Sequence, residues 1–198
     1  MTTKKLSTEI SEQLADLYVR MEVAYDGVAQ SYGLSCKGCS DNCCDSYFEH
    51  HTYLEWAYLM KGLDTLPDDT RKAVEERAYV YVVESERLLA RKERPVLMCP
   101  LNENGLCILY SYRLMICRMH GVPSYFMRPD GKEIRFAGCF RCQELIGDKE
   151  PKETVDRTEL YRELAQLETD LIGYGRHYLP KVEMTLAKMI VKGPPSIY

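Results

Sequence analysis

Cys36-Lys37-Gly38-Cys39-Ser40-Asp41-Asn42-Cys43-Cys44 puts four thiols into nine consecutive residues. Lys37, Asp41 and Asn42 make this stretch a poor core segment, so burial of small apolar side chains does not explain its cysteine density. Cys-x2-Cys allows two thiolates to converge on one ion while the intervening backbone amides point at the sulfurs. The same spacing serves zinc knuckles and the ligand runs of ferredoxins. Cys43 and Cys44 are adjacent, and neighbouring side chains diverge in an extended or turn backbone. The pair therefore implies either two centres or one ligand beside one outer thiol.

Five more cysteines follow at 99, 107, 117, 139 and 142, so the chain holds nine, and any all-disulfide scheme leaves one over. Compartment decides how such a set is read. The longest apolar run is Ala78–Val83, far short of the ~18 residues of a membrane-spanning helix. The start, Met-Thr-Thr-Lys-Lys, carries basic residues but no apolar stretch or cleavage site of a signal peptide. The expectation is a cytoplasmic protein that does not enter a membrane, in which clustered cysteines bind metal or do redox chemistry. A net charge of −4 gives no general attraction for nucleic acid, and none is expected as a partner.

Around the cysteines the pattern is helical. Leu6, Ile10, Leu14, Leu17, Met21, Tyr25 and Val28 form one stripe at spacings of three and four, which predicts a helix over 7–32 ended by Gly33. Thr52-Tyr-Leu-Glu55 is a capping-box signal for a helix towards Gly62. Pro67-Asp68-Asp69 starts another, with the proline expected in its first turn, through Val74, Ala78, Tyr81 and Leu88 towards Arg91. Residues 94–148 read as a loop-rich insert, with helical periodicity only over 110–119. A β-hairpin is expected where Pro129-Asp130-Gly131 separates Ser124–Arg128 from Lys132–Phe136. Helix returns at about 154 with Leu160, Leu164, Leu167, Leu171, Tyr174 and Tyr178, a stripe expected to pack on the first helix. A last helix with Val182, Leu186 and Met189 stops at Gly193-Pro194. The predicted architecture is mainly α: one domain over 1–198, with a cysteine-cluster core at 36–142 flanked by helix 7–32 and C-terminal helices over 154–192.

Cys99-Pro100-Leu101, then Gly105-x-Cys107-x2-Tyr110-x2-Arg113-x3-Cys117-Arg118, and finally Cys139-x2-Cys142, supply the remaining sulfurs. One loop cannot complete two four-ligand centres, so the early quartet and this second block are expected to meet. Four thiolates around Zn²⁺ or a [4Fe–4S]²⁺ core leave a local charge of about −2, and Arg113 and Arg118 are the candidates to offset it. Among the histidines, His120 is the best substitute ligand, while His50 and His51 read as cap, loop or core residues. Residues 36–44 resemble a ferredoxin-type run, which favours an iron–sulfur cluster. Cys36-x2-Cys39 with Cys139-x2-Cys142 offers zinc an ordinary Cys₄ tetrahedron instead.

The order of these motifs resembles the YkgJ-type cysteine-cluster family, described as a zinc- or iron-chelating domain, over about residues 36–142. The resemblance implies a metal site of eight cysteines: Cys36, Cys39, Cys43, Cys44, Cys99, Cys107, Cys117 and one of Cys139 or Cys142. Ser40-Asp41-Asn42 is one residue longer than the family's usual spacer, and Leu114 stands where the family has proline. The expected function is a metal-binding module with a metal ion or cluster as partner. A flagellin lysine methylase shares this kind of cysteine block, so a group-transfer enzyme is the alternative. A zinc-stabilised interaction module is a third reading.

Overall fold

The computed structural model describes residues 6–36 and 43–197. The fold is mainly α, with two small sheets. The chain forms two compact units, both discontinuous: one holds residues through Ser11, Cys44–Leu114 and Glu168 onward, the other Glu12–Cys43 and Met115–Leu167.

The first unit is organised by α2 (Tyr53–Leu63), in which every residue except Lys61 is buried. A helix apolar on all sides must sit inside, and its one cation reaches Ser11 Oγ at 2.6 Å. The capping box forms with a variation: Thr52 Oγ1 accepts from the Glu55 N–H at 3.1 Å and donates to the Glu55 carboxylate at 3.0 Å. Glu168 takes the next free donors of the helix start, accepting from the Tyr53 and Leu54 N–H groups at 3.0 and 2.7 Å. Gly62 is required by packing, because a Cβ there would stand 2.6 Å from the Tyr112 ring. The Tyr58 ring lies 5.0 Å from that of Tyr112, so α2 fixes the segment between Cys107 and Arg113.

α3 (Asp68–Ala90) buries Val74, Ala78, Tyr81 and Ser85, a stripe at spacings of four, three and four. Pro67 occupies the N-cap position instead of the first turn, which suits a residue with no N–H to give. Between these helices and the C-terminal segment, His50 and Met184 exchange backbone hydrogen bonds at 2.8 and 3.2 Å. Trp56 Nε1 donates to the Gly193 carbonyl at 2.8 Å. Val182 lies outside any helix, Met184 forms an isolated antiparallel bridge with His50, and the last helix, α7, covers only Leu186–Lys192.

In the second unit α1 (Thr8–Ser31, entering from the first) buries Leu14, Leu17, Tyr18, Met21 and Val28. It ends as expected at Gly33, at φ 63°, where the Leu34 N–H donates to the Ala29 carbonyl at 2.8 Å and closes a Schellman-type stop. The hairpin forms from β3 (Ser124–Met127) and β4 (Glu133–Phe136), with Gly131 at φ 80° in its turn. Val155–Asp156 is not helical: it adds to β3 as a parallel strand, and α6 begins only at Thr158, running to Ile172. Arg20 of α1 pairs with Glu163 of α6, and Leu164, Leu167 and Leu171 of the α6 stripe are buried. Gly173, at φ 66°, converts 173–178 to a 3₁₀ turn, and Tyr178 is exposed.

Burial depresses the His50 pKa to about 3, with a further push from the charge of His51. Unfolded histidine titrates near ~6.5, so between the two values the unfolded chain binds a proton that the folded chain refuses. The contribution is complete above about pH 6.5 and is lost on acidification towards pH 3 at up to about 1.4 kcal/mol per pH unit. Urea unfolding between pH 7 and 4 should show this loss, and His50→Gln should flatten it. An unchanged slope in the variant would contradict a buried neutral imidazole.

Candidate metal centre

Cys36, Cys43, Cys44, Cys99, Cys107, Cys117, Cys139 and Cys142 form no disulfide among the described residues. Cys39 lies outside the described residues. The described cysteines fall into two groups, one in each unit.

In the second unit the group forms around Tyr25, in the last two turns of α1. Its hydroxyl lies 4.0 Å from Cys36 Sγ, which the Gly33 stop has carried back beside the helix. The same hydroxyl sits against Gly121, where a Cβ would be only 2.5 Å from it. Gly121 ends the segment after α4 (Met115–Met119), and its carbonyl accepts the Cys139 N–H at 3.0 Å. Gly138, at φ 86°, presses on that carbonyl, leaving 2.7 Å to a Cβ. Two glycines in close approach thus bring Cys139, the N-cap residue of α5 (Phe140–Ile146), to the end of α1. Burial raises the Tyr25 pKa well above its usual range, and the charges of Cys36, Cys139 and Cys43 reinforce this. Cysteines from two distant parts of the sequence therefore raise the pKa of one phenol.

Cys142 is fully buried in the first turns of α5, where burial, then Cys139, pushes its thiol up to about 11. Cys117 is half-buried on α4. Arg118 is buried, pairs with Glu22 and stacks 4.5 Å from the centre of the Tyr18 ring. His120, half-buried, donates its backbone N–H to the Ile116 carbonyl at 3.0 Å.

The first unit gathers Cys44, Cys99 and Cys107. The Cys99 N–H donates to the Cys44 carbonyl at 2.8 Å, and Asn102 N–H returns to the Cys99 carbonyl at 2.9 Å, folding Cys99–Asn102 into a turn. Inside it the backbone N–H of Leu101 favours the Cys99 thiolate. Burial pushes Cys99 up to about 12; the Leu101 N–H opposes this, Cys44 and Cys107 add to it, and Arg77 opposes it. Cys107 lies on β2 (Leu106–Cys107), opposite Asn102 of β1 (Asn102–Glu103). Asn102 Nδ2 is buried with no hydrogen-bond partner among the described residues. Of the early quartet, Cys44 is the member that meets the second block here, through its backbone bond to Cys99.

Arg77 of α3 is the cation of this group. It donates to the Pro100 carbonyl at 2.9 Å and to Glu103 at 2.7 Å. Arg113 instead stacks on Tyr110, 3.7 Å from the ring centre. Tyr81, one turn beyond Arg77, is pushed up to about 12 by burial and then by Cys99.

Thiols are soft donors that suit zinc or an iron–sulfur core, and the orphan amide of Asn102 and the Leu101 N–H are donors that sulfur accepts. Among the described residues, however, no three Cys, His, Asp or Glu side chains converge closely enough to hold an ion. A hollow of about 440 Å³ in the first unit is lined by His51, Tyr53, Glu168 and His177, among others, and by no cysteine. Among the described residues no helix is long and apolar enough to cross a membrane. No family model matches the chain, and neither a curated protein nor a solved structure matches it significantly.

Gly138→Ala should cost about 2 kcal/mol or more, since it adds a backbone clash to a left-handed φ. Gly147, at φ 65° with open space around it, should lose only about 1 kcal/mol as Gly147→Ala. Equal costs in urea unfolding would show that the approach of Gly121 and Gly138 is not tight.

Proposed function

We propose that this protein is a metal-binding cysteine-cluster protein, holding an iron–sulfur cluster or zinc, with its principal centre at Cys36, Cys39, Cys43 and Cys139. The observation that carries the reading is the Tyr25 hydroxyl 4.0 Å from Cys36 Sγ and packed on Gly121, whose carbonyl holds the Cys139 N–H, although about a hundred residues separate Cys36 from Cys139. Cys39 completes a Cys-x2-Cys-x3-Cys run with the remote cysteine, and the ferredoxin-like spacing favours iron–sulfur over zinc. Cysteines of this density persist without disulfides in a reducing compartment, which fits the cytoplasm.

Cys44, Cys99 and Cys107 make the second thiol group, so the adjacent pair Cys43 and Cys44 serves two groups. Arg77 offsets thiolate charge at the second group in the role first considered for Arg113 and Arg118. When bound, the metal or cluster supplies either a structural crosslink or an electron-accepting site. The chain's own residues supply the sulfurs, donate N–H and O–H bonds to them, and exclude water from Cys142. The resemblance to YkgJ-type proteins points the same way.

Full-length protein purified without oxygen from iron-replete cells should be brown, with near-stoichiometric iron and sulfide. A colourless protein carrying only zinc would reverse the choice of metal, and a protein with neither would contradict the reading. Cys36→Ser and Cys139→Ser should each lose most of the metal, whereas Cys142→Ala should keep it. Retention in all three variants would remove this ligand set.

A further inference from the structure

The Tyr25 side chain is held in place by more than core packing. Its hydroxyl ends 4.0 Å from Cys36 Sγ and against the bare Cα of Gly121, a position that any Cβ would close, leaving 2.5 Å. Gly121 is also the residue whose carbonyl holds the Cys139 N–H. The phenol is therefore wedged between the segment that carries the early cysteines and the one that carries the late ones. Tyr25 belongs to the buried stripe of α1 by its spacing, yet only its ring is needed to continue that stripe. Phenylalanine would do the same packing without placing an oxygen beside sulfur.

We propose that Tyr25 is a positioning residue of the thiolate centre, its hydroxyl donating a hydrogen bond to the Cys36 sulfur when that sulfur is an anionic metal ligand. This rests on the thiolate centre proposed above. A phenol is a donor at neutral pH, and a bound thiolate has only lone pairs to offer. Charge on the sulfur makes the bond stronger and shorter than one between neutral partners. Partners that orient and polarise a metal ligand in this way contribute about 10- to 100-fold to metal affinity. They also draw electron density from sulfur, which shifts sulfur-to-metal charge transfer to higher energy.

The test uses the full chain, reduced and free of oxygen, titrated with Co²⁺, whose sulfur-to-cobalt absorption reports thiolate ligation. Tyr25→Phe, which removes only the oxygen, should bind about 10-fold more weakly and show its charge-transfer band shifted to lower energy. In a Cys36→Ser background the same substitution should change neither quantity. Wild-type affinity and band position in Tyr25→Phe would overturn the inference while leaving the centre intact. So would an equal loss in both backgrounds, or a Tyr25→Phe chain that no longer folds, since either would make the hydroxyl structural. Absence of any sulfur-to-cobalt band in the wild-type chain would overturn the centre itself, and this inference with it.

Discussion

A methyl group at Gly138 would stand 2.7 Å from the Gly121 carbonyl oxygen, and onto that same oxygen the Cys139 N–H donates at 3.0 Å. Only glycine tolerates this backbone approach, because both residues also adopt positive φ, 129° at Gly121 and 86° at Gly138. The crossing ties the start of α5 to the end of α4, and the Tyr25 hydroxyl packs on it from α1. Cys139 and Cys142 are set by α5 and Cys36 by the end of α1. The disposition of thiols in this unit thus depends on two residues without side chains.

In the other unit a comparable part is played by α2. Its burial on all sides, its start held by Glu168 and Thr52, and the approach of Tyr112 to Gly62 hold the stretch after Cys107. Arg77 and Tyr81 present one face of α3 to the Cys99 turn. A cation beside buried sulfur is the arrangement that makes thiolate charge tolerable away from water.

Much of the helical scaffold was legible in the sequence because its signals are local. The stripe of α1, the Gly33 stop, the Thr52 cap and the Pro129-Asp130-Gly131 turn each act within a few residues, and each forms. What failed was local signal overruled by pairing at a distance. Val155 and Asp156 pair with β3 instead of starting α6, and ahead of α7 Met184 is bonded to His50 instead of belonging to a helix. α5 escaped notice since seven residues are too few for a period to stand out among cysteines. The short hairpin of β1 and β2 did carry a readable signal in Asn104-Gly105, whose residues take φ 53° and 84° as its turn demands. At the site, cysteine identity was evident but partnership was not. Arg113 and Arg118 lie in the motif around Cys117, yet it is Arg77 whose charge acts on Cys99, and Tyr25 looked like one more apolar step of a helix. Nothing local marks a tyrosine whose oxygen matters more than its ring.

The central claim is that sulfur from distant cysteines forms one metal shell. X-ray absorption at the metal edge of the purified full chain tests it most directly. The account predicts a shell of sulfur at about 2.3 Å, diminished in Cys139→Ser although that residue is remote from the early run. A shell of nitrogen and oxygen, or a sulfur shell indifferent to Cys139, would contradict it.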